Sequence, residues 1–179
     1  MFDVDEFIKE CRGALSENEP GRALREVLDR SVSASASVSA ALQHDNAGIE
    51  PLHRSDDLTI LNVVWGPGMQ LPAHDHRMWA MIGIYAGGED NAFFRRDGDT
   101  IVASGGKELR ERDVLLLGDD AIHSVTNPLR SYTGAIHVYG GDFFAQPRSQ
   151  WDAETRREKP YDHELVARLF EESNRTVAE

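Results

Sequence analysis

The spacing of hydrophobic positions changes character about a third of the way along this chain. Before residue 42, Phe2, Phe7, Ile8, Ala14 and Leu15 recur at helical spacing with polar residues between them, which predicts helix from Asp3. Asn18 and Pro20 break that run and can start a second helix through Ala23, Leu24, Val27 and Leu28. The low-complexity stretch SVSASASVSA, Ser31 to Ala40, lacks large anchors, and helix or loosely packed linker is favoured there over strand.

After Pro51 short β-rich runs take over. They are LTILNVVW, MWAMIGIYA, NAFFRR, TIVA, DVLLL, IHSVT and YTGAIHVY, between Leu58 and Tyr139, separated by the turn signals GPG, AGGED, RDGD, SGG, GDD and NP. Many short strands without interposed helices predict an antiparallel sandwich or barrel and argue against βαβ units. Helical pattern returns in HELVARLFEES, His163 to Ser173. The expected organisation is one all-β structural domain in three parts. Residues 1–50 form an N-terminal helical segment packed on the barrel, 51–150 the barrel, and 151–179 a C-terminal extension with a helix.

Composition narrows the classes of function. The 179 residues are enough to bury a real core, and 40% hydrophobic with 28% charged residues is ordinary for a globular protein. A net charge of -12 argues against nucleic acid or an anionic membrane as partner, since Arg95, Arg96, Lys107, Arg110 and Arg112 are interspersed with acids. The single cysteine, Cys11, leaves no intrachain disulfide and no cysteine-based zinc site. The acidic opening MFDVDEFIKE is unlike a secretory signal and no stretch has the length of a membrane span, so the cytoplasm is the expected compartment. Assembly into a homo-oligomer is compatible with all of this.

Candidate chemistry lies in PAHDHRMWAMIG, Pro72 to Gly83. On a strand, His74 and His76 share one face and Asp75 takes the other, so the two imidazoles can chelate a metal. His123, in IHSVTN, comes from a later run, and a small closed barrel would bring the three together. Imidazoles on inward faces without a ligand would strand polar groups, which favours metal binding. His44, His53 and His163 are expected at the surface, and Trp65, Trp79, Phe93 and Phe94 in the core.

The spacing of Gly68, five residues, His74-Asp75-His76, and later His123, three residues, Asn127 resembles the two motifs of the cupin superfamily. The resemblance implies a double-stranded β-helix, or jelly-roll barrel, with a divalent metal inside. Two positions depart from the pattern. Ala80 and Met81 stand where the first motif commonly has glutamate, and Gly118 and Asp120 replace the P-x-G of the second. Without the glutamate, three neutral imidazoles leave the ion its full charge and free positions, suited to an anionic bidentate ligand and a small molecule such as dioxygen.

An all-histidine triad is similar to that of the thiol dioxygenases, the cysteine dioxygenase branch of the cupins. HDHRMWAMIGIYAG fits the segment following their histidine pair, and GAIHVYGG fits their Ser-x-His-x-Tyr signature, with Ala135 in place of serine. Their tyrosine-crosslinking cysteine falls near Ala80, so that crosslink cannot form here. The resemblance implies iron(II) on His74, His76 and His123, with nickel, zinc or manganese as other divalent ions that would suit. It places Tyr139 near substrate and oxygen, with His137 as its hydrogen-bonded partner. The implied reaction is oxidation of a small thiol carboxylate by dioxygen to a sulfinate. Arg54, in PLHRSDDLTI, is the expected carboxylate anchor, unless it is a solvated loop residue paired with Asp56 or Asp57. Arg77 should point away from the metal. Two alternatives stand beside this one, a metal-dependent isomerase or hydrolase and a non-catalytic cupin that binds metal or a small ligand.

Overall fold

Three helices lead into the strands of the computed structural model, which describes residues 1–178. Helix α1 (Val4–Ala14) is capped by Asp3, whose carboxylate accepts from the Glu6 amide at 2.9 Å. Helix α2 (Pro20–Ser33) starts on its proline, where the missing N–H costs no helical bond. The serine-rich stretch is helical, divided at Ala34 between α2 and α3 (Ser35–Ala41). Its small side chains let the backbone approach the sheet, and Val32 and Val38, both fully buried, supply the anchors.

Eleven strands follow among the described residues: β1 (Gly48–Arg54), β2 (Thr59–Trp65), β3 (Gln70–Asp75), β4 (Ala80–Ala86), β5 (Gly88–Asp97), β6 (Thr100–Arg110), β7 (Val114–Leu117), β8 (Ile122–Thr126), β9 (Thr133–Tyr139), β10 (Ser149–Trp151) and β11 (Glu158–Pro160), then α4 (His163–Ala178). They form a five-stranded sheet in the order β1-β2-β9-β4-β7 and a six-stranded sheet in the order β11-β10-β3-β8-β5-β6. All pairings are antiparallel, and four of them nest: β2 with β9, β3 with β8, β4 with β7 and β5 with β6. That is one long hairpin wound into two facing sheets, a double-stranded β-helix. The all-β barrel with helices at both termini is therefore the fold of this chain.

Several strands depart from the expected pattern: β5 begins at Gly88, inside the expected turn AGGED, and β6 continues through the expected turn SGG to Arg110. β1 begins at Gly48 and runs through Pro51, which is no boundary: the register shifts between Pro51 and His53, and β1 is an edge strand, where proline breaks no ladder. β10 and β11 are too short to show an alternation. Both nevertheless join the six-stranded sheet next to β3.

The five-stranded sheet is covered on both sides, so β2 and β9 are buried at every position and their sequences read as solid apolar runs. Outward, Ile60, Met81, Ile136 and Val138 meet Leu24, Leu28, Val32 and Val38 of the N-terminal helices. Gly83 is needed there, because a Cβ on it would lie 2.9 Å from Leu28 Cδ1 and 2.8 Å from Val32 Cγ1. Inward, Leu61, Val63, Ile82 and Ile84 pack towards Leu71 and Val125 of the other sheet. Helix α4 lies at one end of the barrel, where Phe170 stacks on Trp65 at 5.5 Å and Asn174 exchanges two hydrogen bonds with the Ala47 backbone. Among the described residues, no helix is long and apolar enough to cross a membrane.

Candidate metal centre

His74 on β3 and His123 on β8 are direct cross-strand partners. His76 lies just beyond the end of β3, before Arg77, whose backbone is left-handed at φ 54° and turns the chain away. The three side chains are buried, and one ring nitrogen of each falls within 4.8 Å of the others. Asp75 takes the opposite side, accepting from the Ser149 amide at 2.7 Å and from Arg77 Nε at 3.2 Å. Strand alternation thus separates the histidines from the acid between them.

The hydrogen bonds around the rings fit a metal. His74 Nδ1 is 2.9 Å from the Pro72 carbonyl and His123 Nδ1 is 2.7 Å from Asn91 Oδ1, so each Nδ1 donates its proton and each Nε2 keeps its lone pair. His76 Nδ1 is buried without a partner, and His76 Nε2 lies 3.0 Å from His123 Nε2. Two metal–nitrogen bonds of about 2.1 Å at a right angle set their nitrogens about 3.0 Å apart. Burial pushes the His74 imidazolium down to about 4 and holds His76 and His123 well below the usual histidine range. All three are therefore neutral at physiological pH and could serve as ligands, and among the described residues no carboxylate joins the group.

His137 and Tyr139 project from β9 into the same space, as their two-residue spacing implied. Tyr139 Oη is 3.0 Å from His137 Nδ1, and the Tyr139 ring lies 5.0 Å from the His76 ring. Burial raises the phenol far above its ordinary value and pushes His137 down to about 3, so both are neutral. Together with Leu61, Val63, Val125 and Trp65 they line a cavity of about 20 Å³, room for one water-sized guest.

Arg54 is not brought to this cavity. It is half exposed and forms a fork with Asp142, Nε to Oδ1 at 2.9 Å and Nη2 to Oδ2 at 2.8 Å. Neither Asp56 nor Asp57 is its partner. The arginine near the centre is Arg148, which precedes β10 and is 7% exposed. Its guanidinium lies between the rings of Phe143 and Tyr161, 3.8 and 4.1 Å from their centroids, and makes no ion pair among the described residues. Its charge opposes protonation of His74 and His76 and favours ionisation of Tyr139. Arg148 also lines a cleft of about 340 Å³ whose walls include Ile49, Phe143 and Tyr161, and these three residues line the metal cavity too.

Sequence reasoning passed over Arg148, Asn91 and Glu89. Arg148 sits in a stretch without periodicity and carries no signal. Glu89, Asn91 and Phe93 do alternate, and extending β5 backwards through the apparent turn AGGED would have put the first two on an inner face. Asn127, the last residue of the second motif, serves the scaffold: its amide donates to the carbonyls of Trp65, Gly66 and Ser131. Trp79 packs on the helix side of the sheet, as expected of a core residue.

Fold and centre together define a class, a small double-stranded β-helix built around three neutral histidines. No family model matches the chain. Among solved structures it is similar to a cupin superfamily protein from Desulfitobacterium hafniense, at 16% identity over 56% of this chain and 83% of that one, with a TM-score of 0.43. An RmlC-like cupin of double-stranded β-helix fold from Methanocaldococcus jannaschii matches at 14% identity over 57% of this chain and 86% of that one, with a TM-score of 0.44. An oxalate oxidase in complex with the substrate analogue glycolate matches at 12% identity and a TM-score of 0.43, over 55% of this chain but only 53% of its own length.

Proposed function

We propose that this protein is an iron(II)-dependent oxygenase of the thiol dioxygenase type, which converts a small thiol carboxylate and dioxygen to a sulfinate. The observation that carries the reading is the donor set, three neutral imidazoles without a carboxylate, beside a buried tyrosine hydroxyl and an arginine with no acid partner. When bound, iron(II) supplies the redox chemistry by which both atoms of one dioxygen are added to the thiolate sulfur, RS⁻ + O₂ → RSO₂⁻.

The chain's own residues have separate tasks in this scheme. Arg148 takes the substrate carboxylate, since a desolvated guanidinium without a counter-ion favours an anionic fork partner. Tyr139 orients the reacting end by hydrogen bonding, and His137 holds the phenol in place. The apolar walls exclude bulk water, which strengthens each polar contact. Phe143 and Tyr161, shared between cleft and cavity, control passage from one to the other.

The test is anaerobic loading with iron(II), followed by oxygen uptake over a panel of thiols. Thiol carboxylates should drive uptake, and Arg148→Ala should raise their KM at least tenfold while changing that of an aminothiol far less. Absence of thiol-dependent uptake by fully iron-loaded protein would move the assignment to another metal-dependent cupin chemistry.

A further inference from the structure

Glu89, on β5, is fully buried and has no lysine or arginine within ion-pair distance among the described residues. Oε1 accepts from Asn91 Nδ2 at 3.0 Å and Oε2 from Trp65 Nε1 at 2.8 Å. Oε2 also lies 3.9 Å from His137 Nε2, a buried nitrogen with no hydrogen-bond partner, and a small side-chain adjustment or one bridging water closes that gap. The other nitrogen of the same ring is the one beside Tyr139 Oη. Carboxyl, imidazole and phenol therefore form a line that ends in the metal cavity. A second line leaves Glu89 through Asn91, whose Oδ1 accepts from the metal-side residue His123. Ala135 offers no hydroxyl to His137, so Glu89 is the polar group that faces its Nε2.

We infer that Glu89 is a positioning residue: its carboxyl decides which ring nitrogen of His137 carries the proton, and through it where the Tyr139 hydroxyl directs its own. With Glu89 ionised, His137 Nε2–H faces the carboxylate, Nδ1 accepts from the Tyr139 hydroxyl, and the cavity meets only phenol lone pairs. With Glu89 protonated, its O–H donates to Nε2, Nδ1–H donates to the Tyr139 oxygen, and the hydroxyl proton is free to point into the cavity. One proton interconverts the two states. It enters at the Tyr139 oxygen, the phenol's former proton passes to Nδ1, and the Nε2 proton passes to Glu89, so imidazole and phenol end neutral.

Burial makes both states accessible near neutrality, pushing the Glu89 carboxyl up to about 7 against the two donors that favour its ion. The charged neighbour on β5 is Asp90, which raises it further and is itself paired with Arg110 of β6 at 2.7 Å. From β9 it faces His137 and Tyr139, from β2 Trp65, and from β8 His123 by way of Asn91. The use of the switch in turnover rests on the proposed role of Tyr139; the tautomer itself does not.

The test is long-range ¹H–¹⁵N correlation of histidine-labelled full chain, alone and with zinc(II), from pH 5.5 to 8.5. His137 should pass from the Nδ1–H to the Nε2–H tautomer as pH rises, whereas Glu89→Gln, whose amide does not titrate, should hold a single tautomer throughout. Trp65→Phe, which keeps an aromatic ring but removes one donor, should move the wild-type midpoint upward, and it carries the test if Glu89→Gln does not fold. A His137 tautomer that ignores pH in the wild type, or a midpoint unmoved in Trp65→Phe, would overturn the inference. If the tautomer follows Glu89 while thiols drive no oxygen uptake, the positioning role is supported and the proposed reaction is what fails.

Discussion

The five-stranded sheet is buried on both of its faces, and the two faces are buried differently. On the helix side, aliphatic residues interlock and the polar groups are paired: Tyr85 donates to Asn62 Oδ1 at 2.7 Å, and Asn62 in turn donates to the Gln43 carbonyl at 2.9 Å. On the barrel side, His137 Nε2 has no partner, and across the cavity His76 Nδ1 and Arg148 Nε have none either. A folded chain rarely tolerates such atoms, because each forfeits the hydrogen bonds it had in water. Burial alone therefore does not mark a site. Burial with unspent hydrogen-bonding capacity does.

Substitutions on the two faces should part company most clearly in metal content. His76→Ala should reduce the divalent metal held per folded chain at least tenfold, measured by elemental analysis after loading. Leu28→Ala, on the helix face, should leave that ratio unchanged, and a matching loss of metal would erase the distinction between the faces. The same Leu28→Ala should lower unfolding free energy in urea by about 2–5 kcal/mol, because it opens a cavity against Val32 and Gly83.

A smaller separation should appear with pH. The Glu89 carboxyl is raised in the folded chain from 4.5 to about 7, so the folded state binds more protons than the unfolded one between those values. Stability contributed at low pH is thus lost as pH climbs through that window, by on the order of 3 kcal/mol. The buried neutral histidines contribute the opposite slope over this range, so the Glu89 contribution is read as a difference: denaturation at pH 5 and pH 8 should show Glu89→Gln gaining stability relative to the wild type as pH rises. The least effect is expected from Arg54→Ala: its fork to Asp142 is half exposed and screened, so the urea midpoint should barely shift and KM for thiol carboxylates should not move. A large KM change there would return Arg54 to the site in place of Arg148.

Much of the barrel was legible because its central strands are covered on both sides, and sustained apolar runs survive any register. β1 was not, since Pro51 reads as a break unless the strand is known to lie at an edge. The histidine pair was legible through strand alternation, which is a local rule. His123 needed only one further assumption, a closed barrel. Arg54 and Arg148 show where local rules stop: both are arginines near the proposed substrate path by one criterion or another, and the difference between them is a carboxylate 88 positions from Arg54 in sequence.

The sequence alone determined the helical segment, the antiparallel β-class, and that His74 shares a face with His76 and His137 with Tyr139, because spacing within one element dictates which side chains lie together. Only the tertiary structure decided which arginine is left without a counter-ion, and which acid stands behind His137. Those outcomes depend on what other segments of the chain bring to the same few ångströms. Asp142 neutralises Arg54, no acid among the described residues neutralises Arg148, and the winding of the hairpin carries Glu89 of one sheet to the histidine of the other.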